Sequence, residues 1–60
     1  MSAERAAVSV STASDMYGLS EYQIRRAIDT LDLPAKRIGG RIVIRTDDLA
    51  EWYERQESAR

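Results

Sequence analysis

The chain is expected to fold as one small, mainly helical domain carrying a two-stranded β-hairpin. Three observations predict this. At 60 residues the chain has room for one domain at most. Two stretches, "SEYQIRRAIDTL" and "TDDLAEWYE", place apolar residues at helical spacing. Between them a glycine pair, Gly39-Gly40, joins two short runs of strand-forming residues. The domain is expected to cover residues 8–60, with residues 1–7, "MSAERAA", as a flexible N-terminal end without apolar period.

The elements follow in order. "VSVS" (8–11) suits a short extended segment. Ser11 suits a helix N-cap, and "TASDMYG" then gives one or two turns that bury Ala13, Met16 and Tyr17. Gly18 ends this helix, because it takes the left-handed conformation without a Cβ clash. Leu19 plugs the turn. The second helix opens on a capping box, Ser20 with Gln23. Ile24, Ala27, Ile28 and Leu31 form its apolar stripe at i, i+3, i+4 and i+7. Tyr22, Arg26 and Asp29 point most directly away from that stripe, Gln23 and Arg25 flank them, and Glu21 lies nearer its edge.

Leu33-Pro34 stops helical structure, since the residue before proline avoids the α region. Two hairpin registers are open. A two-residue Gly39-Gly40 loop pairs Ile38 with Arg41 and puts Arg37 on the face of Ile42 and Ile44. A three-residue loop through Arg41 pairs Ile38 with Ile42 and gathers Ile38, Ile42 and Ile44 on one buried face. The second is preferred on burial, and it sets Arg41 at the hairpin tip. Thr46 is expected to cap the last helix. Asp47 and Asp48 sit in its first turn, where the helix dipole favours negative charge. Leu49, Trp52 and Tyr53 form its apolar face, and Glu51 can pair with Arg55 outside.

Composition removes several function classes. Histidine and cysteine are both absent. That leaves no disulfide, no soft metal ligand and no common base or nucleophile for catalysis. The carboxylates fall at caps and on solvent faces, and no glycine-rich loop precedes a helix to cradle phosphate. An enzyme is not expected, nor a metal, nor a cofactor. No apolar run approaches the roughly 18 residues of a membrane span, and no signal-peptide core is visible. A cytoplasmic protein is the expectation.

The net charge of -1 conceals a partition. Residues 21–45 carry Arg25, Arg26, Lys36, Arg37, Arg41 and Arg45 against Glu21, Asp29 and Asp32. Residues 46–60 carry Asp47, Asp48, Glu51, Glu54 and Glu57 against Arg55 and Arg60. The middle is basic and the tail acidic, which suggests a polyanion-binding face. A lone basic hairpin is more often a solvated sheet edge. Here it follows two short helices around Gly18-Leu19, the order of a winged helix-turn-helix.

In such a fold the second helix enters the DNA major groove. Its candidate contacts are Ser20, Tyr22, Gln23, Arg25 and Arg26; arginine grips guanine and glutamine grips adenine through paired hydrogen bonds. The hairpin is the wing. Gly39 and Gly40 let its backbone approach the duplex, Arg41 suits the electronegative minor groove, and Lys36, Arg37 and Arg45 suit phosphates. Trp52, Tyr53 and Tyr17 sit at core spacing and read as core. The rival reading is an adaptor that docks a basic protein partner on its acidic last helix; a solvated helix is the more ordinary account of those acids.

From "VSVSTASDMYGLSEYQIRRAIDTLDLPAKRIGGRIVIRTDDLAEWYE" the chain resembles the MerR-like winged helix-turn-helix of phage excisionases. The carrying pieces are "STASDMYGLS", "SEYQIRRAI", the "LPAKRIGGR" wing and "IRTDDLAEWYE", which span about residues 8–54. The resemblance implies a recombination directionality factor. Such a factor binds repeated attachment-site sequences cooperatively, beside neighbouring copies of itself, and bends the DNA. It biases a phage integrase towards prophage excision, in the host bacterial cytoplasm at the nucleoid. It also implies that Tyr22 and Arg26 contact the major groove and Arg41 the minor groove. Asp29 departs from relatives that carry a basic residue there, and Leu31 stands where many have a helix-closing glycine. The longer dimerisation helix and effector domain of MerR-type regulators are absent from this sequence, so no small-molecule effector is expected. A small phage or bacterial transcriptional regulator of the same fold is the alternative.

Overall fold

The computed structural model describes residues 6–57. Along them run β1 (Ala7–Ser9), α1 (Val10–Tyr17), α2 (Glu21–Asp29), β2 (Lys36–Ile38), β3 (Arg41–Arg45) and α3 (Thr46–Glu54). This is a winged helix-turn-helix. Its sheet has three strands, in the order β1-β3-β2, rather than the two expected. The added strand pairs Val8 with Ile44, antiparallel, so both side chains enter the core. Three residues are too short a run for alternation to announce a strand. Of the expected loose end, residues 1–5 lie outside the described residues, whereas Ala7 already belongs to β1.

Helix α1 begins two residues earlier than expected. Ser9, not Ser11, is its N-cap, and the Ser9 hydroxyl accepts the Thr12 amide at 3.2 Å. This lets Val10 reach the core in the first turn. The shifted helix turns Met16 outward, 52% exposed, where burial was expected. Ser14 is buried instead, its hydroxyl donating to the Ser11 carbonyl at 2.8 Å. Tyr17 is half-buried and stacks on Tyr53, with ring centroids 4.4 Å apart.

Two left-handed residues bracket α2. Gly18 closes α1 at φ 67°, and the Leu19 amide reaches back to the Ser14 carbonyl at 2.9 Å. The capping box then forms as expected, with the Ser20 amide donating to Gln23 Oε1 and the Gln23 amide to Ser20 Oγ, both at 3.1 Å. Ile24 and Ala27 are buried and Ile28 packs against the core. The stripe does not extend to Leu31. The helix ends at Asp29, and Leu31 stands outside it at φ 67°, 87% exposed. Two hydrogen bonds complete a Schellman turn around it: Leu31 amide to Ile28 carbonyl at 3.1 Å, and Asp32 amide to Ala27 carbonyl at 2.9 Å. This turn delivers Leu33, fully enclosed, into the core.

The hairpin takes the two-residue register, not the preferred one. Ile38 pairs with Arg41, Arg37 with Ile42 and Lys36 with Val43. Gly39 and Gly40 lie at φ 58° and 81°. Two consecutive positive φ values make the tight turn whose twist matches the strands, and only glycine adopts them cheaply. The burial argument fails at this end because the hairpin projects beyond the core. Ile38 is therefore 59% exposed, and Arg41 begins β3 beside the tip instead of occupying it.

Helix α3 follows β3 without a loop. Arg45 is at its N-cap position and makes no side-chain cap; Thr46 is the first helical residue rather than the cap. The Thr46 amide and hydroxyl both donate to the Ala6 carbonyl, at 3.0 and 3.3 Å. Asp47 and Asp48 occupy the first turn. Leu49 and Trp52 are buried, and Tyr53 sits at the rim. Arg55 does not serve the expected pair with Glu51; its guanidinium donates to the Asp32 carbonyl at 2.9 Å and ties α3 to the turn after α2.

The two left-handed positions carry opposite residue choices, so substitutions there have opposite signs. Gly18→Ala should lower stability by about 1 kcal/mol, from backbone strain alone, since a Cβ there meets nothing within 4 Å. Leu31→Gly should raise it by about 0.5 kcal/mol, the relieved strain exceeding the added chain entropy. Thermal denaturation reads both, as shifts of a few degrees in a domain of this size.

Candidate nucleic-acid interface

The exposed surface of α2 divides into three strips. Tyr22 and Arg26 occupy the outermost strip. Tyr22 is 68% exposed, and Arg26 Nη1 donates to its hydroxyl at 3.4 Å. A one-turn spacing makes this contact, and it leaves the remaining guanidinium hydrogens open to solvent. Arg25 lies on the flank turned to the wing, with its Nη2 3.9 Å from Glu21 Oε1. Gln23 lies on the opposite flank, facing Trp52 and Tyr53 of α3. Its carbonyl oxygen is already engaged by the amide and hydroxyl of Ser20. Ser20 and Gln23 are therefore first a helix cap, and only the Gln23 amide nitrogen remains to meet a ligand.

Between α2 and the wing runs a concave groove. Glu21 and Arg25 line one wall, and Arg37, Gly40 and Arg41 the other; Ser9 to Ser11 at the start of α1 form its floor. Folding thus brings together three arginines drawn from three elements. The two-residue turn causes part of this. It puts Arg37 on the sheet face shared with Ile42 and Ile44, which is the face towards the helices. The register that was not preferred therefore gives the more compact cationic site.

Other candidates fall outside the groove. Lys36, opposite Val43, and Arg45, opposite Ala7, lie on the outer face of the sheet; alternation puts Arg41 on that face too, and it lines the groove from beside the open turn. Arg45 is four residues beyond Arg41, about 13 Å along an extended strand, and pairs with Asp47 at 3.5 Å. The structure does not bring it to the wing tip. Gly39 and Gly40 form the turn itself, with no atom within 4 Å of where a Cβ would stand. The tip is open, so a duplex backbone has close access to it. Sequence reading did not select Glu21 as part of this site. Its signal was present: Glu21 and Arg25 are one helical turn apart on the same side of α2.

The remaining chemistry is sparse. Among the described residues no cluster of acidic, histidine or cysteine side chains could hold a metal ion. No buried side-chain polar atom there lacks a hydrogen-bond partner. No helix among the described residues is long and apolar enough to cross a membrane. What the surface offers is a cationic groove between a short exposed helix and an open hairpin tip, which is what a duplex needs from a protein: charge for phosphates and a helix for the major groove.

A family model described as a helix-turn-helix domain matches residues 7–57, nearly all of the described chain. No curated protein and no solved structure gives a significant match.

Because Ser20 is occupied as a cap, its replacement should act on the fold. Ser20→Ala is expected to cost about 1 kcal/mol of stability through loss of the Gln23 amide's acceptor. Chemical denaturation should show a lower midpoint with an unchanged slope.

Proposed function

The chain belongs to the helix-turn-helix domain family and is a double-stranded-DNA-binding domain; from that premise we propose that it acts as an excisionase, a recombination directionality factor. The observation that carries this reading is the assembly of Arg25, Arg37 and Arg41 into one groove between α2 and an open wing. A small domain of net charge -1 concentrates its cations where a helix and a hairpin can grip adjacent grooves of one duplex.

In this reading α2 enters the major groove. Tyr22 and Arg26 meet base edges, and the hydrogen bond between them limits the rotamers of the arginine before DNA arrives. Arg25 and Arg37 take phosphates on the wall between the grooves. Arg41, at the start of β3, follows the open glycine turn into the minor groove. Lys36 and Arg45, on the outer face, serve phosphates further along the wing side. Gripping two neighbouring grooves at once favours a bent duplex, because bending brings more backbone within reach of the cations. Copies on repeated sites, bound side by side at an attachment site, would then shape the DNA for a phage integrase. The resemblance to excisionases over residues 8–54 supports this role above transcriptional regulation.

A mobility-shift titration tests the proposal. The probes are the attachment-site duplex of the genome that encodes the chain and a random duplex of equal length, at two salt concentrations. Laddered, cooperative shifts on the attachment site alone are expected. Equal binding to both duplexes would remove the excisionase role and leave sequence-independent binding. Docking through the acidic α3 would instead show as loss of partner capture, with DNA binding intact, when the α3 charges are reversed.

Two outcomes follow for the groove. Arg41→Ala should weaken binding to the preferred site by about 1–3 kcal/mol. Affinity should also fall steeply with salt, the slope on a logarithmic scale being about 0.9 per phosphate contacted. Unchanged affinity in the variant would exclude the wing from the contact.

A further inference from the structure

Among the described residues that line the cationic groove, Glu21 is the only acidic one. Its side chain and that of Arg25 are each about half exposed, and their charged atoms stand 3.9 Å apart. An exposed pair at that distance adds little to stability. Glu21 also lies in the first turn of α2, where the helix dipole favours an acid. Any acid in that turn would satisfy the dipole, including one facing away from the wing. This one pairs with Arg25 and lines the groove that Arg37 and Arg41 also line.

We infer that Glu21 is a specificity-determining residue, which restrains binding to unmatched duplexes by holding Arg25 as its counter-ion. The inference rests on the DNA-binding reading above. Phosphate contacts supply affinity without regard to sequence, and each free cation in the groove adds to it. The Glu21 carboxylate and a phosphate compete for the same guanidinium. The contact is loose enough to break when a matched duplex, seated through Tyr22 and Arg26, holds a phosphate or base edge close to Arg25. A duplex seated in poor register offers no such exchange. It meets a groove in which one arginine is already neutralised. Selectivity then comes partly from a contact that works against the unmatched partner.

The test compares wild type, Glu21→Gln, Arg25→Ala and the double variant. The probes are a duplex selected by the wild type from a randomised pool and a random duplex, each across a salt series. Glu21→Gln should bind the random duplex about three-fold tighter at low salt, with a slope steeper by about 0.9, the value for one added phosphate. The selected duplex should gain less, so the ratio of the two affinities falls. In the Arg25→Ala background the same change should alter neither the slope nor the ratio. Thermal denaturation confirms that each variant is folded. Equal gain on both duplexes, no gain on the random duplex, or a gain that persists without Arg25 would each overturn the inference alone. Failure of the wild type to bind either duplex at low salt would overturn the DNA-binding reading with it.

Discussion

Strand β3 is hydrogen-bonded on both sides, to β1 and to β2, and Ile44 near its end is completely enclosed. The other elements take their places from it. Val8 opposite Ile44 fastens the start of the chain, and α3 leaves β3 without a loop, so Leu49 is enclosed about one helical turn later. A chain of 60 residues without cysteine has few other ways to close a core. The same strand runs out of the core at its other end, where Arg41 is exposed. The wing is therefore the projecting half of a strand whose other half is buried. A cation placed this way has its backbone already fixed, so contact with a ligand costs only the ordering of its side chain.

Helix α2 has nine residues, too few to hold a helix in isolation. Its order comes from its ends and from one face. The capping box satisfies its first amides, Ile24 anchors it, and left-handed residues at 18 and 31 turn the chain sharply on either side. The Schellman turn at Leu31 fixes the end of α2, because it sends Leu33 into the core and brings the Asp32 carbonyl within reach of Arg55. The outer strip of α2 inherits its direction from these anchors. Tyr22 and Arg26 face outward because Ile24, Ala27 and Ile28 face inward.

Much of this was legible in the sequence wherever a side-chain pattern spans a full turn or a special backbone position. The Gly18 cap, the Ser20–Gln23 box, the inward set of α2 and the acidic first turn of α3 were all read from residues four or fewer apart. The errors occurred where long-range pairing decides. β1 is three residues long and becomes a strand only because β3 offers it an edge, and that pairing moves the cap of α1 from Ser11 to Ser9. The hairpin register follows turn geometry rather than burial of Ile38; the tip has no core to bury against, so the paired positive φ values of Gly39 and Gly40 prevail. Leu31 fitted the apolar stripe by spacing, yet the hydrogen bonds after Asp29 end the helix before it. Of the groove, sequence supplied the three arginines, while their meeting with Glu21 required the register that only the fold reveals.

A net charge of -1 is no obstacle to binding a polyanion when the charge is divided in space. Exposed charges are screened beyond about 10 Å at 0.1 M ionic strength. No residue of α3, which carries most of the acidic excess, lines that groove. Glu21 stands apart from the acids of α3, because it lines the groove itself and its carboxylate is 3.9 Å from Arg25, well within the screening length; on the inference drawn above, a duplex must fit before its phosphates displace that carboxylate.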